Sequence, residues 1–104
     1  MEKLSQTDVA VATRIKTPKV PKYNVVMHND DETTFEFVIA TLIDIFDKDQ
    51  VTATALAYEI HNVGSAVVGC YSREVAESKV SETTERARAR GYPLVCTVEG
   101  LSDD

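Results

Sequence analysis

Five polar side chains in this sequence could meet to do chemistry: the run His28, Asn29, Asp30 and Asp31, and the more distant His61. Imidazole and carboxylate are good metal ligands, but no two of these residues show the i, i+4 spacing that sets a His pair on one helical face. Cys70 or a serine could act as a nucleophile with His61 as its base. Against that, no nucleophile elbow or oxyanion-hole loop flanks any serine, and Cys70 sits within an apolar run. The remaining reading is structural: Asx-turn residues beside a helix start, and a surface histidine. Residue types alone leave these readings open, and the choice depends on the elements that carry the side chains.

Tyr23-Asn24-Val25-Val26-Met27-His28 is rich in β-formers and Asn29-Asp30-Asp31-Glu32 is turn chemistry, so a first strand is predicted to end near His28. Thr33 stands three positions before Glu36, the capping-box spacing, which predicts a helix start there. Phe35, Val38, Ile39, Leu42, Ile45 and Phe46 recur at helical steps and predict one buried stripe to about residue 46. Asp49 is placed to cap a second helix that carries Val51, Ala55, Leu56, Ile60 and Val63, and Gly64 to end it as a left-handed cap. Asp30 and Asp31 then lie at the mouth between strand and first helix, and His61 near the end of the second, so they could converge.

Ser65-Ala66-Val67-Val68-Gly69-Cys70-Tyr71 is too short for an independent helix and reads as a strand covered on much of both faces, with Gly69 permitting a bulge or a close approach. From Ser72 onward, Glu74 and Glu77 come early and Arg86, Arg88 and Arg90 late, as a helix dipole favours, and Gly91 follows as terminator. The small side chains of its inward stripe, Ala76, Val80, Thr83 or Thr84, and Ala87, would let this helix lie close to a sheet. Leu94-Val95-Cys96-Thr97-Val98-Glu99 is a last strand with Leu94, Cys96 and Val98 on one face. The order β-α-α-β-α-β predicts an α+β domain in which three helices pack on one side of a small antiparallel three-stranded sheet.

At 104 residues, 43% of them hydrophobic, the chain has room for one core and not two. Eleven Lys and Arg against 17 Asp and Glu give a net charge of -6, unevenly spread. Residues 1–22 hold five cations, Lys3, Arg14, Lys16, Lys19 and Lys22, against Glu2 and Asp8, a balance of +3 that leaves -9 on the rest. We expect a flexible N-terminal extension over 1–22 and a core domain over 23–104. The acidic body argues against a nucleic-acid partner, which needs clustered Lys and Arg. No apolar run approaches the roughly 20 residues that span a bilayer, and no secretory h-region is evident, so neither a membrane nor a secretory route is expected. Cys70 and Cys96 have no second cysteine at zinc-site spacing, and two small buried thiols are expected in place of a disulfide or metal site.

Beyond these patterns, the residues resemble a known family. Tyr23 through Asp31, with Thr33 and Glu36-Phe37-Val38-Ile39, are similar to the first strand and helix of the ClpS adaptors. Ile60-His61, Gly64, Glu74 through Val80 and Pro93 through Glu99 continue that resemblance in order. It implies a non-enzymatic adaptor without cofactor or metal, monomeric, that binds substrates beginning with a bulky hydrophobic residue and delivers them to the AAA+ unfoldase ClpA for degradation by ClpP. A bacterial cytoplasm is the implied compartment, ahead of a plastid stroma. A generic protein-interaction module is the alternative. The resemblance further implies that Asn29, Asp30 and His61 surround the substrate's α-ammonium. It gives Thr33, Phe35, Val38, Ala57, Ile60 and Leu94 as walls of the pocket for the first side chain, and Glu74 and Lys79 as part of the unfoldase-docking face. Asp31 and Glu32 would stand at the pocket mouth, where the charge of Glu32 should favour basic residues after the first. Ala57 and Phe35 both depart from the methionines common in the family. The small Ala57 should widen the pocket unless Phe35 or Tyr58 refills it, and the extension would engage the unfoldase during hand-off.

Overall fold

The structure, a computed structural model, describes residues 22–100. The 1–22 extension therefore falls outside the described residues apart from Lys22. Six elements follow in the order β1 (Tyr23–His28), α1 (Phe35–Asp44), α2 (Gln50–Val63), β2 (Ser65–Tyr71), α3 (Arg73–Ala89) and β3 (Val95–Gly100). Their β-α-α-β-α-β order and the single antiparallel three-stranded sheet are those predicted, and the structure adds that β1 lies between β2 and β3.

Val25 and Met27 of β1 are fully buried and form the middle of the core, flanked by Ala66 and Val68 of β2 and by Leu94 and Cys96 at β3. The helices cover that face. Phe37, Val38 and Leu42 enter from α1, followed by Ile45 and Phe46, while Ala53, Ala57 and Ile60 enter from α2 and Ala76 and Ala87 from α3. The methyl-sized stripe of α3 allows the close helix-sheet approach its sequence predicts, with Thr83, not Thr84, as the buried threonine.

Several local expectations need correction. The α1 cap is Thr34, whose hydroxyl accepts from the Phe37 N–H at 3.1 Å; Thr33 is engaged by Asp30 and is not free to cap. The α2 stripe is rotated: Val51 and Val63 are 79% and 74% exposed, and the inward positions belong to Ala53, Leu56, Ala57 and Ile60. Side-chain size misleads here, because an inward face that meets α1 closely selects alanine over valine. β2 is covered on one face only, so Val67 and Cys70 are exposed, and Cys70 is not the buried thiol expected. The bulge forecast near Gly69 is present: Val25 pairs with Gly69 and Val26 with Val67, leaving Val68 as the extra residue. A Cβ at Gly69 would fall on the Tyr71 ring, so the close approach forecast there is present as well.

The cap at Asp49, accepting from the Thr52 N–H at 3.0 Å, and the left-handed Gly64 at φ 112° agree with the sequence. Between α1 and α2 the chain turns at Asp47, φ 58°, and the Lys48 N–H returns to the Leu42 carbonyl at 3.0 Å. Lys79 braces this turn from α3, its Nζ donating to the Ile45 carbonyl at 2.7 Å and lying 6.0 and 5.4 Å from the Phe46 and Tyr71 ring centres.

Candidate functional site

One hydrogen bond across the domain decides what meets what. The Asn29 N–H donates to the Gly64 carbonyl at 2.9 Å, tying the end of β1 to the end of α2. Gly64 reaches that position through its left-handed conformation, while its own N–H caps α2 at the Ile60 carbonyl. Asn29 and Asp30 are thereby carried beside His61 in the last turn of α2, a helix end whose partial negative charge favours a cation.

Asp30 folds the next turn around itself. Its Oδ1 accepts from the Glu32 N–H at 2.8 Å and the Thr33 N–H at 2.7 Å, and its Oδ2 from the Thr33 hydroxyl at 2.7 Å. Burial pushes this carboxyl up, but the bonds from Thr33 and Glu32, helped by the charge of Arg88, outweigh it and hold the group below its ordinary 3.8. Asp30 is thus ionised at neutral pH. Three of its roughly four acceptor positions are used, and Oδ2 keeps one for an incoming donor.

These residues rim an open pocket of about 520 Å³. Asn29, Asp30, Asp31 and His61 supply its polar edge, and Thr33, Phe35, Val38, Ala57, Tyr58 and Ile60 complete the lining. Ala57 and Ile60 are 2% exposed and form part of the core as well as of the lining. Leu94, at 1% exposure, lies in the core and is not among the lining residues, nor is the exposed Glu32. Tyr58 lines the pocket at 55% exposure and packs edge-on to Phe35, ring centres 4.8 Å apart at 62°. Its sequence signal was weak, since it stands beside the inward Ala57 and outside the helix stripe.

Other candidates lie elsewhere. His28 Nε2 is 2.9 Å from the Thr97 hydroxyl across the β1–β3 pair, outside the pocket. Cys70 pairs with Asn24, and Ser65 with His28, so Cys70 sits toward the opposite end of β2 from the pocket and cannot serve His61 as nucleophile. Burial pushes the Cys96 thiol up to about 12, which makes it a poor nucleophile. Glu74, in the first turn of α3, is exposed, whereas Lys79 is half-buried and bonded to Ile45. Both are remote from the pocket, because α3 begins where β2 ends beside Tyr23.

An anionic acceptor cluster at the lip of an apolar cleft suits a ligand that joins a cation to a bulky apolar group. Comparison with known proteins gives the family. Residues 18–97 match the family model described as "ATP-dependent Clp protease adaptor protein ClpS". The ATP-dependent Clp protease adapter protein ClpS of Oleidesulfovibrio alaskensis is 44% identical over 92 residues, covering 88% of this chain and 86% of that protein. The ClpS of Lawsonia intracellularis is 38% identical over 99% of this chain and 93% of its own length. The solved structure of Agrobacterium tumefaciens ClpS2 bound to L-phenylalaninamide superposes with a TM-score of 0.77 at 35% identity, covering 80% of this chain and all of that one. By sequence and by fold, the chain belongs to the ClpS family of Clp protease adaptors.

Proposed function

We propose that this adaptor captures proteins through a free N-terminus carrying a bulky hydrophobic first residue and delivers them to a ClpA-type unfoldase for degradation by ClpP. The observation that carries the reading is the pocket itself, whose two halves match the two halves of such a ligand. Phenylalaninamide, the molecule held by the Agrobacterium relative, combines a free amine with an aromatic side chain.

The α-ammonium offers three N–H donors. Asp30, ionised and with an acceptor position left on Oδ2, would take one, and Asn29 and His61 the others. An acetylated terminus brings no cation and would leave these acceptors poorly paired, at a cost of roughly 1 to 3 kcal/mol for each desolvated group. The first side chain would enter the cleft between Phe35, Val38, Ala57 and Ile60, where burying a Leu or Phe contributes about 1.5 to 3 kcal/mol. Together these terms support micromolar affinity, about -8 kcal/mol.

The delivery role involves the opposite end of the domain. Exposed Glu74 would contact the unfoldase directly, while Lys79 would shape the same face by bracing the α1–α2 turn. The 1–22 extension, which joins β1 at that end, would act in hand-off. The protein would work as a monomer in the bacterial cytoplasm, with no nucleic acid or membrane as partner, and no helix among the described residues is long and apolar enough to cross a bilayer. Titration with a C-terminally labelled Phe-initiated peptide and its N-acetylated twin tests the capture step. Micromolar binding of the first and loss of the second is expected, and equal binding of both would favour a generic interaction module.

A further inference from the structure

We infer that Tyr58 is a specificity-determining residue that, with Phe35, tunes the pocket for aromatic first residues over aliphatic ones; this deepens the proposed capture of free N-termini and rests on it. Ala57 supplies almost no side chain at its position in the lining and is 2% exposed. The neighbouring wall is instead built by two rings from two helices. Phe35 opens α1 directly after the Thr34 cap, and Tyr58 stands in the middle of α2. Their edge-to-face contact, 4.8 Å and 62°, fixes the rings against one another across the helix pair.

The pair is asymmetric in a useful way. Phe35 is half-buried and packed against the core, so it is anchored, whereas Tyr58 retains 55% exposure while facing the pocket. Tyr58 is therefore not locked into the domain's own packing, and the part of it that lines the pocket is open to a ligand. An incoming phenyl or phenol ring can extend the existing pair into a three-ring cluster, each contact edge-to-face or offset. A leucine side chain fills similar volume but has no quadrupole to match. Leu and Phe gain comparably from burial alone, so the ring contact sets the difference between them, roughly two- to tenfold in affinity.

The test measures Kd for peptides identical except for a first residue of Phe or Leu, using the full chain and its Tyr58→Phe and Tyr58→Leu variants, with thermal melts as a control for folding. Tyr58→Phe keeps the ring contact with Phe35 and should melt like the wild type, whereas Tyr58→Leu loses it and should melt a few degrees lower while still folding cooperatively, the position being exposed. We expect the wild type and Tyr58→Phe to favour the Phe peptide by about two- to tenfold, and Tyr58→Leu to bring the ratio close to one. A wild type that binds the Leu peptide as tightly as the Phe peptide, or a Tyr58→Leu variant that keeps the wild-type ratio, overturns the assignment while leaving capture of N-termini intact. Failure of both peptides to bind the wild type would remove the capture reading, and this inference with it.

Discussion

Replacing Asp30 with asparagine should separate its two tasks. As a turn organiser, Asp30 accepts two backbone N–H groups on Oδ1 and one hydroxyl on Oδ2. Asparagine keeps a carbonyl oxygen for the two backbone donors, and its amide nitrogen can donate to the Thr33 hydroxyl, which accepts as readily as it donates. The turn is partly solvated, so the net loss of stability should stay within about 1 kcal/mol. As a receptor for an ammonium, however, the side chain loses its charge and presents an N–H where an acceptor is needed. A hydrogen bond to a charged group is worth about 1.5 to 3 kcal/mol, so affinity for a Phe-initiated peptide should fall roughly 10- to 150-fold. Urea unfolding and fluorescence anisotropy on the same protein at pH 7 read the two effects separately. An Asp30→Asn variant that melts like the wild type and binds within twofold of it would refute the role given to this carboxylate.

Four further outcomes follow from the same geometry. Because the Asp30 carboxyl is held below 3.8, its contribution is complete above that value and is lost as pH falls through the lower folded one; the stability difference between wild type and Asp30→Asn in urea should therefore stay constant above about pH 4 and change only below it, as wild type loses its carboxylate contribution. With the exposed Asp31 lining the pocket and the exposed Glu32 next to it in the chain, a Leu-Arg peptide should bind about two- to fivefold tighter than Leu-Glu at low salt, and equal affinities would contradict the expected preference. Thr41 is fully buried with an unpartnered hydroxyl, so Thr41→Val should stabilise the domain by about 1 kcal/mol and raise Tm by roughly 4 to 8 °C in a melt. Native protein should titrate one thiol with an aromatic disulfide reagent, the exposed Cys70, and a second, Cys96, only in denaturant.

Element order, the Asp49 and Gly64 caps of α2 and the charge-graded α3 were legible because each rests on a local rule that packing does not override. Local rules failed where tertiary contacts chose between near-equal neighbours. Thr33 and Thr34 can both cap α1, and the choice fell to Thr34 because Asp30 claims Thr33. On α2, weighting residues by size favoured Val51 and Val63, whereas close packing placed Ala53 and Ala57 inward. In β2 the extra Val68 breaks the simple alternation, and a short apolar run looked two-sided when it is not. The convergence of Asn29, Asp30 and His61 on one pocket could only be a possibility from spacing, since it depends on the long-range Asn29–Gly64 bond; family resemblance supplied the grouping. Leu94, which the resemblance groups with the pocket walls, is fully buried here and is not among the residues that line the pocket.

The place of β1 in the sheet also has a mechanical side. Lys22 leads straight into the middle strand, which is laddered to β2 on one edge and to β3 on the other along all six of its residues. Traction on the chain ahead of it would run along that strand, straining both ladders in shear rather than peeling them rung by rung. A motor gripping the basic leader would meet its stiffest resistance at the first residues of the fold, so the carrier could be tugged without being consumed.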